Sequence, residues 1–365
     1  MSLILTFLGK GGTGKTTMAI ATAKQLANRG NRVLLVGQDG TIAFRYLLGV
    51  KPDLDPQEIE SNLFIVELNS TLLLERGWEE IKELEGKYLR SPTIKNVYGQ
   101  ELGILPGMDQ ALALNTLREY DQSGKYDVII YDGTGDVNSL RMLGIPDILS
   151  WYLRRFGQVF KESDIGKAIS PFMQPITSAI LNVAWSPDDL NPESASNATQ
   201  ILDQGIEAIK DPNRVAAYLV TTDDPMAIAT AKTLWGGANQ VGLTVGGVLL
   251  NQGMLTDELR SDFTPLPLNV IPSRVGDDWQ NVIDALPNFR RMAEVPKPLV
   301  IDSVNRQVKV FLPSFDKKQV KLTQYGTEIT IEAGDQRRNI MLPSSLVGQS
   351  VKGAKFQDKY LIISL

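Results

Sequence analysis

The 365 residues include no cysteine and no histidine. The lack of cysteine excludes disulfides, thiolate nucleophiles and iron–sulfur clusters, and the two absences together remove the usual zinc sites. Any metal must then be held by oxygen, which points to magnesium with a phosphate ligand. Neither sign of charge dominates: 37 Lys and Arg stand against 42 Asp and Glu, a net charge of −5. No overall basic field recommends a nucleic-acid partner. No apolar run approaches a transmembrane length, so no stable membrane insertion is expected. The start, "MSLILTFLGKGG", has no basic region before its short apolar stretch and reads as a strand, not a signal peptide. The missing cysteine fits a cytoplasmic chain. The length allows one large α/β domain with a smaller companion, or two domains.

What the chain does have is glycine, grouped near its start in "GKGGTGKTT", Gly9 to Thr17. The apolar run "LILTFL" before it has the signature of a buried parallel strand. The segment "TTMAIATAKQLANRG" after it is rich in helix formers, with Gly30 placed to end the helix. Between them lies G-x-x-x-x-G-K-T: Gly9, Gly14, Lys15 and Thr16. Strand, loop and helix is the context in which this spacing binds phosphate. Glycines let backbone N–H groups converge on phosphate oxygens, and the helix N-terminus adds its positive dipole end. ATP and Mg²⁺ are the expected ligands. Lys15 is expected on the β and γ phosphates and the Thr16 hydroxyl on Mg²⁺, with Gly11, Gly12, Thr13 and Thr17 completing the cradle. The plain alternative is a glycine-rich turn that binds nothing.

The form K-G-G-x-G-K-T-T resembles the deviant Walker A loop of the signature-lysine ATPases. That resemblance implies that Lys10 reaches across a homodimer to the partner's nucleotide and supplies charge there, as an arginine finger does. An ordinary solvated lysine is the other reading. In "NRVLLVGQDG" a second strand runs to Asp39. The resemblance implies that Asp39 orients the attacking water, although Gly40 stands where the family has proline; an Asp-Gly turn is the alternative. In "KYDVIIYDGTGDVNSLRMLGIP" a strand from Asp127 to Tyr131 leads to Asp132. An Asp at the end of a parallel strand beside such a loop is where a magnesium-water ligand belongs. Leu140, Arg141, Leu143 and Pro146 match the family, whereas residues 133–138 differ where it carries its γ-phosphate switch. "ILPGMDQALAL" resembles another family segment, with Gln110 at a Glu position. "GGVLLNQG" ends in Asn251, which aligns with an adenine-reading Asn; a turn Asn is the alternative. "LPLNVIP" gives a last strand, and the loop from Pro272 is placed to cover the base.

The resemblance runs over about residues 1–295 and lies nearest the arsenite-pump and tail-anchored-protein-targeting group. It implies an α/β fold: a P-loop NTPase with a mostly parallel sheet flanked by helices, in a domain of residues 1–296. With no cysteine, neither a thiol-held metalloid nor a zinc-closed dimer is available. With one P-loop, a homodimer would supply the second half. A helical insert is expected at about 145–210, where Ile148, Tyr152, Phe156, Val159 and Phe160, then Phe172, Met173, Ile176 and Ile180, recur at helical spacing. These could face a hydrophobic client polypeptide such as a membrane-protein segment, or pack within their own domain. "SPDDLNPESASNATQ" reads as a mobile loop leading into a helix. From 303 to 365 the pattern changes to period two, through Val308, Val310, Leu312, Val320, Leu322, Ile329 and Ile331. "QYGTEITIEAG" reads as a hairpin turning at Gly326. The piece, of about five or six strands, resembles the α-crystallin domain of small heat-shock proteins.

Two functions follow from this reading. One is an ATP-driven switch that opens and closes a client surface, in a targeting or chaperone role. The other is a nucleotide-gated scaffold with little turnover. A partition or division ATPase on DNA or membrane is disfavoured by the acidic balance and by the lack of a terminal basic amphipathic helix.

Overall fold

In a computed structural model the described residues are 1–38, 42–76, 107–162, 192–290, 294–334 and 336–365. Asp39 lies outside them, as do Phe172, Met173, Ile176 and Ile180 of the expected insert. The chain divides into two compact units: Met1–Ser2, Ala27–Ile129 and Arg141–Glu207 form one, and Leu3–Leu26, Ile130–Leu140 and Ala208–Leu365 the other.

The order of elements begins β1 (Leu3–Leu8), α1 (Lys15–Asn28), β2 (Val33–Gln38), α2 (Ile42–Leu48), β3 (Gln57–Glu60), β4 (Leu63–Leu68), α3 (Met108–Gln122) and β5 (Val128–Asp132). It continues with α4 (Val137–Glu162), α5 (Pro192–Lys210), β6 (Val215–Thr221), α6 (Pro225–Gln240), β7 (Thr244–Asn251), α7 (Asp257–Phe263), β8 (Leu268–Ile271) and α8 (Gln280–Ala285). The eight strands form one sheet in the order β3-β4-β2-β5-β1-β6-β7-β8. β2 runs parallel with β4, β1 with β6, β6 with β7 and β7 with β8, while β3 lies antiparallel on β4. The mostly parallel sheet expected from the sequence is therefore present. Every residue of β6 and β7 is buried, which is why these strands read as unbroken apolar runs without alternation. Gly30 ends α1 as its position predicts, at φ +84° with its N–H on the Ala27 carbonyl, 2.8 Å.

The polar stretch before α5 corrects the sequence reading: residues from Pro192 onward are helical. Pro is tolerated in the first helical turn, where its missing N–H costs no intrahelical bond. On α4, Ile148 and Tyr152 are each 51% exposed. In the same unit, a Cβ on Gly205 of α5 would stand 3.2 Å from the Pro146 ring of α4, so the missing side chain lets these helices approach closely.

The C-terminal strands are β9 (Leu299–Asp302), β10 (Gln307–Phe311), β11 (Val320–Tyr325), β12 (Glu328–Ala333), β13 (Gln336–Met341), β14 (Gly353–Gln357) and β15 (Tyr360–Ser364). They form two antiparallel sheets, β14-β15-β10-β9 and β11-β12-β13. Val308, Val310, Leu312, Ile329, Ile331, Ile340, Leu361 and Ile363 fill one shared core, and the other two period-two residues of the sequence, Val320 and Leu322, pack against it half-buried. Gly326 sits at the tip of the β11–β12 hairpin at φ +58°, as expected. Six of these strands fall within 303–365, in line with the five or six expected there, and β9 precedes that stretch and pairs with β10. Among the described residues no helix is long and apolar enough to cross a membrane.

Candidate functional site: the glycine loop and its walls

The loop from Gly9 to Gly14 joins the end of β1 to α1, at the carboxyl edge of the sheet where open α/β folds bind ligands. Its glycines answer to different demands. A Cβ on Gly9 would stand 2.1 Å from the Val220 carbonyl of β6, and one on Gly14 would stand 2.3 Å from the Asn251 amide of β7. Gly12 and Gly14 also adopt φ of +84° and +95°, which only glycine adopts readily. Gly11 is different: among the described residues, nothing lies within 4 Å of a Cβ there, nor of one at Gly12. The first bond of α1 runs from the Met18 N–H to the Gly14 carbonyl, 2.9 Å. The N–H groups of Lys15, Thr16 and Thr17 precede it and have no intrahelical acceptor. No acidic residue in that turn offsets the positive end.

Lys15 folds back over the loop. Its Nζ donates to the Gly9 carbonyl at 3.0 Å and to the Lys10 carbonyl at 3.2 Å. Burial pulls its pKa below the usual lysine range, while Asp132 and Asp136 act the other way. Thr13 closes the loop on itself, its hydroxyl donating to the Lys10 carbonyl at 2.9 Å. Asp132, the last residue of β5, is 3% exposed and accepts a hydrogen bond from Thr16. Among the described residues its Oδ2 has no hydrogen-bond partner. Burial raises its carboxyl to about 6, against the opposing effects of Thr16 and Lys15. Asn251, at the end of β7, donates its amide to the Thr13 carbonyl at 2.8 Å and so braces the loop from behind. Pro272 follows β8 on the exposed surface; the preceding Ile271 carbonyl accepts the Gln252 N–H at 3.0 Å.

The structure thus brings Lys10, Thr13, Lys15, Thr16, Asp132 and Asn251 around one loop. It also brings in residues that motif reading did not assign. The turn after β5 presses on the loop: the Gly9 N–H donates to the Gly135 carbonyl at 2.9 Å. A Cβ on Gly135 would stand 2.5 Å from the Lys15 side chain, and its φ is +63°. Asp136 caps the following helix, accepting from the Thr134 hydroxyl at 2.7 Å and the Asn138 N–H at 2.8 Å. The Gly135 N–H donates to the buried Ser139 hydroxyl at 2.9 Å. On the other side, Lys10 Nζ lies 3.2 Å from Asp224, the residue that caps α6. The only sequence signal for Asp224 is an Asp before a Pro, a helix-start pattern that says nothing of lysine.

This donor set can hold a polyphosphate: helix N-terminal N–H groups, one half-buried lysine, and a threonine hydroxyl beside a carboxylate with an unused oxygen. Among the described residues no three His, Cys, Asp or Glu gather as metal donors. A divalent ion beside Asp132 and Thr16 would therefore take its other ligands from phosphate and water, the habit of Mg²⁺.

The chain is similar to known proteins along most of its length. The family model described as "Anion-transporting ATPase" matches residues 2–266, and one described as "HSP20-like domain found in ArsA" matches 304–365. A protein of Chlorobaculum tepidum that bears the name of an arsenical pump-driving ATPase is 26% identical, over 99% of this chain and 95% of its own. One of Aquifex aeolicus with the same kind of name is 22% identical, over 99% of each. The ATPase GET3 of Malassezia globosa is 24% identical, over 67% of this chain and 70% of its own.

Proposed function

The chain belongs to the anion-transporting ATPase family, and from that premise we propose that it is a homodimeric Mg-ATP switch whose nucleotide state opens and closes a hydrophobic surface for a client polypeptide. The observation that carries the nucleotide half is the buried Oδ2 of Asp132, unpartnered among the described residues, beside Thr16 and Lys15. A buried carboxylate oxygen without a partner is costly unless a ligand completes it. Thr16 and Asp132 fit Mg²⁺, and the loop at Gly11 and Gly12, with no described atom within 4 Å of a Cβ there, fits the phosphates. Mg-ATP would supply the phosphoanhydride and the charge neutralisation. In this reading Lys15 exchanges loop carbonyls for phosphate oxygens, Lys10 serves a second copy, Asn251 and the loop from Pro272 flank the base, and Asp39 orients water.

The client half rests on Ile148 and Tyr152, an exposed i, i+4 apolar pair on α4. The relatives' arsenical names do not carry over as a metalloid site, since soft metalloids prefer thiolates and this chain has no cysteine. Calorimetry is expected to show ATP binding that requires magnesium. Asp39→Asn is expected to keep that binding and lose turnover, and unchanged hydrolysis would reject its role. Affinity capture with Asp39→Asn under ATP, compared with ADP, is expected to enrich polypeptides with exposed apolar segments.

A second reading, a nucleotide-gated scaffold with little turnover, draws on the turn after β5. Asp136 is engaged as a helix cap, so the segment at the family's switch position is already ordered. Tight ATP binding with steady-state hydrolysis at the buffer rate would favour it.

A further inference from the structure

The loop's early lysine already has a partner within its own chain. Lys10 Nζ lies 3.2 Å from Asp224 Oδ2, and both side chains are 46% exposed. The same carboxylate oxygen accepts the Ala227 N–H at 2.9 Å, as the N-cap of α6 with Pro225 in the first turn. These two contacts, the cap N–H first, hold the Asp224 carboxyl below the usual carboxylate range. Asp224 therefore cannot follow Lys10 outward without leaving the end of α6. The loop backbone is equally fixed, with Gly9 against the Val220 carbonyl and Asn251 on Thr13. Only the lysine side chain is left to move.

We propose that Asp224 is a positioning residue that restrains Lys10 in cis, so that Lys10 acts on nucleotide only after this ion pair opens. The inference rests on the reading that Lys10 serves a second copy's nucleotide. An exposed pair of this kind is weak and exchangeable, which suits a restraint that phosphate charge must displace. A buried pair would lock the lysine instead.

The test separates cap from charge. Asn caps a helix about as well as Asp, so Asp224→Asn keeps the Ala227 bond and removes the ion pair. Its unfolding midpoint is expected to match the parent, and Asp224→Ser serves as a second cap-competent variant. If Lys10 is restrained, Asp224→Asn reaches half-maximal specific ATPase activity at a protein concentration about two- to fivefold lower than the parent, the range an exposed ion pair spans. Sedimentation with magnesium and a non-hydrolysable ATP analogue should show the same shift in dimer formation, and it should vanish in a Lys10→Ala background. No shift in either cap-competent variant overturns the inference, as does a sedimentation shift that persists without Lys10. If Lys10→Ala alone turns over ATP like the parent, the trans reading fails and takes this inference with it. A dead Lys10→Ala beside an unshifted Asp224→Asn sinks the restraint and leaves that reading standing.

Discussion

Asp132 has its ionisation set by burial more than by its neighbours. With its carboxyl raised from 3.8 to about 6, it binds more protons in the native than in the unfolded chain between those values. The native state is thus favoured by this group on the acid side and loses that advantage as pH rises through about 6. Two pKa units correspond to about 3 kcal/mol, an upper figure for a group that also interacts with Lys15. With magnesium chelated, Asp132→Asn is expected to be more stable than the parent by about 1–3 kcal/mol at pH 7.5, with the gain shrinking below pH 6. Urea unfolding across pH measures this, and a less stable variant at pH 7.5 would contradict it. The ligated form should behave oppositely, with magnesium-dependent ATP binding weakening below pH 6 as the carboxylate protonates. A residue that costs stability until it is ligated is what function at this position requires.

Among the elements, the turn between β5 and α4 depends on glycine as closely as the phosphate loop does. A Cβ on Gly135 would meet the Lys15 side chain and the Phe7 carbonyl, both at 2.5 Å. Gly135→Ala is therefore expected to displace Lys15, to destabilise by about 1–3 kcal/mol, and to weaken ATP binding at least about tenfold. Gly124 is the control: its φ is +65° but nothing lies within 4 Å of its Cβ, so Gly124→Ala should show strain without loss of binding. Equal ATP affinity in the two variants would refute the contact. The contrast also marks what the sequence could reveal. The phosphate loop was legible because strand, glycines and helix are contiguous, and the central strands of the sheet because they are apolar runs, whereas the edge strand β3, Gln57–Glu60, carries no such run. The need for glycine at Gly135 comes from a side chain 120 positions earlier, and the Lys10–Asp224 pair spans 214 positions. Such meetings follow from strand order, which no local pattern encodes. The misread start of α5 is the reverse case, in which polar composition resembled a loop and a first-turn proline resembled a break. β9 was missed because four residues are too few to show a period.

For the molecule as a whole, α6 ties the nucleotide loop to the C-terminal sandwich. Its first turn is capped by Asp224, and its residues from Leu234 to Gln240 are buried. Trp235, 1% exposed, has its ring 5.7 Å from that of Phe311. Gly236 and Gly237 are adjacent toward the end of the helix, and within a helix glycine costs about 1 kcal/mol against alanine. The compensation is proximity: a Cβ on Gly236 would stand 2.8 Å from Phe315, and one on Gly237 would stand 2.9 Å from Gln336. Arg338 secures the joint. It is 5% exposed, and its Nη1 donates to the Asn239 carbonyl at 2.8 Å and to the Pro298 carbonyl at 3.3 Å. Arg338→Met keeps the length of the side chain but leaves both carbonyls short of a charged donor, at an expected loss of about 2–3 kcal/mol. Hydrogen exchange locates the effect: amides near 236–241 should lose protection while those of α1 keep theirs. If the sandwich braces the helix that holds Asp224, the same variant should also move the protein concentration for half-maximal ATPase activity in the direction of Asp224→Asn. Lost protection without that movement would make the sandwich a cap on a helix that transmits nothing. Unchanged protection would mean that Arg338 does not hold the joint.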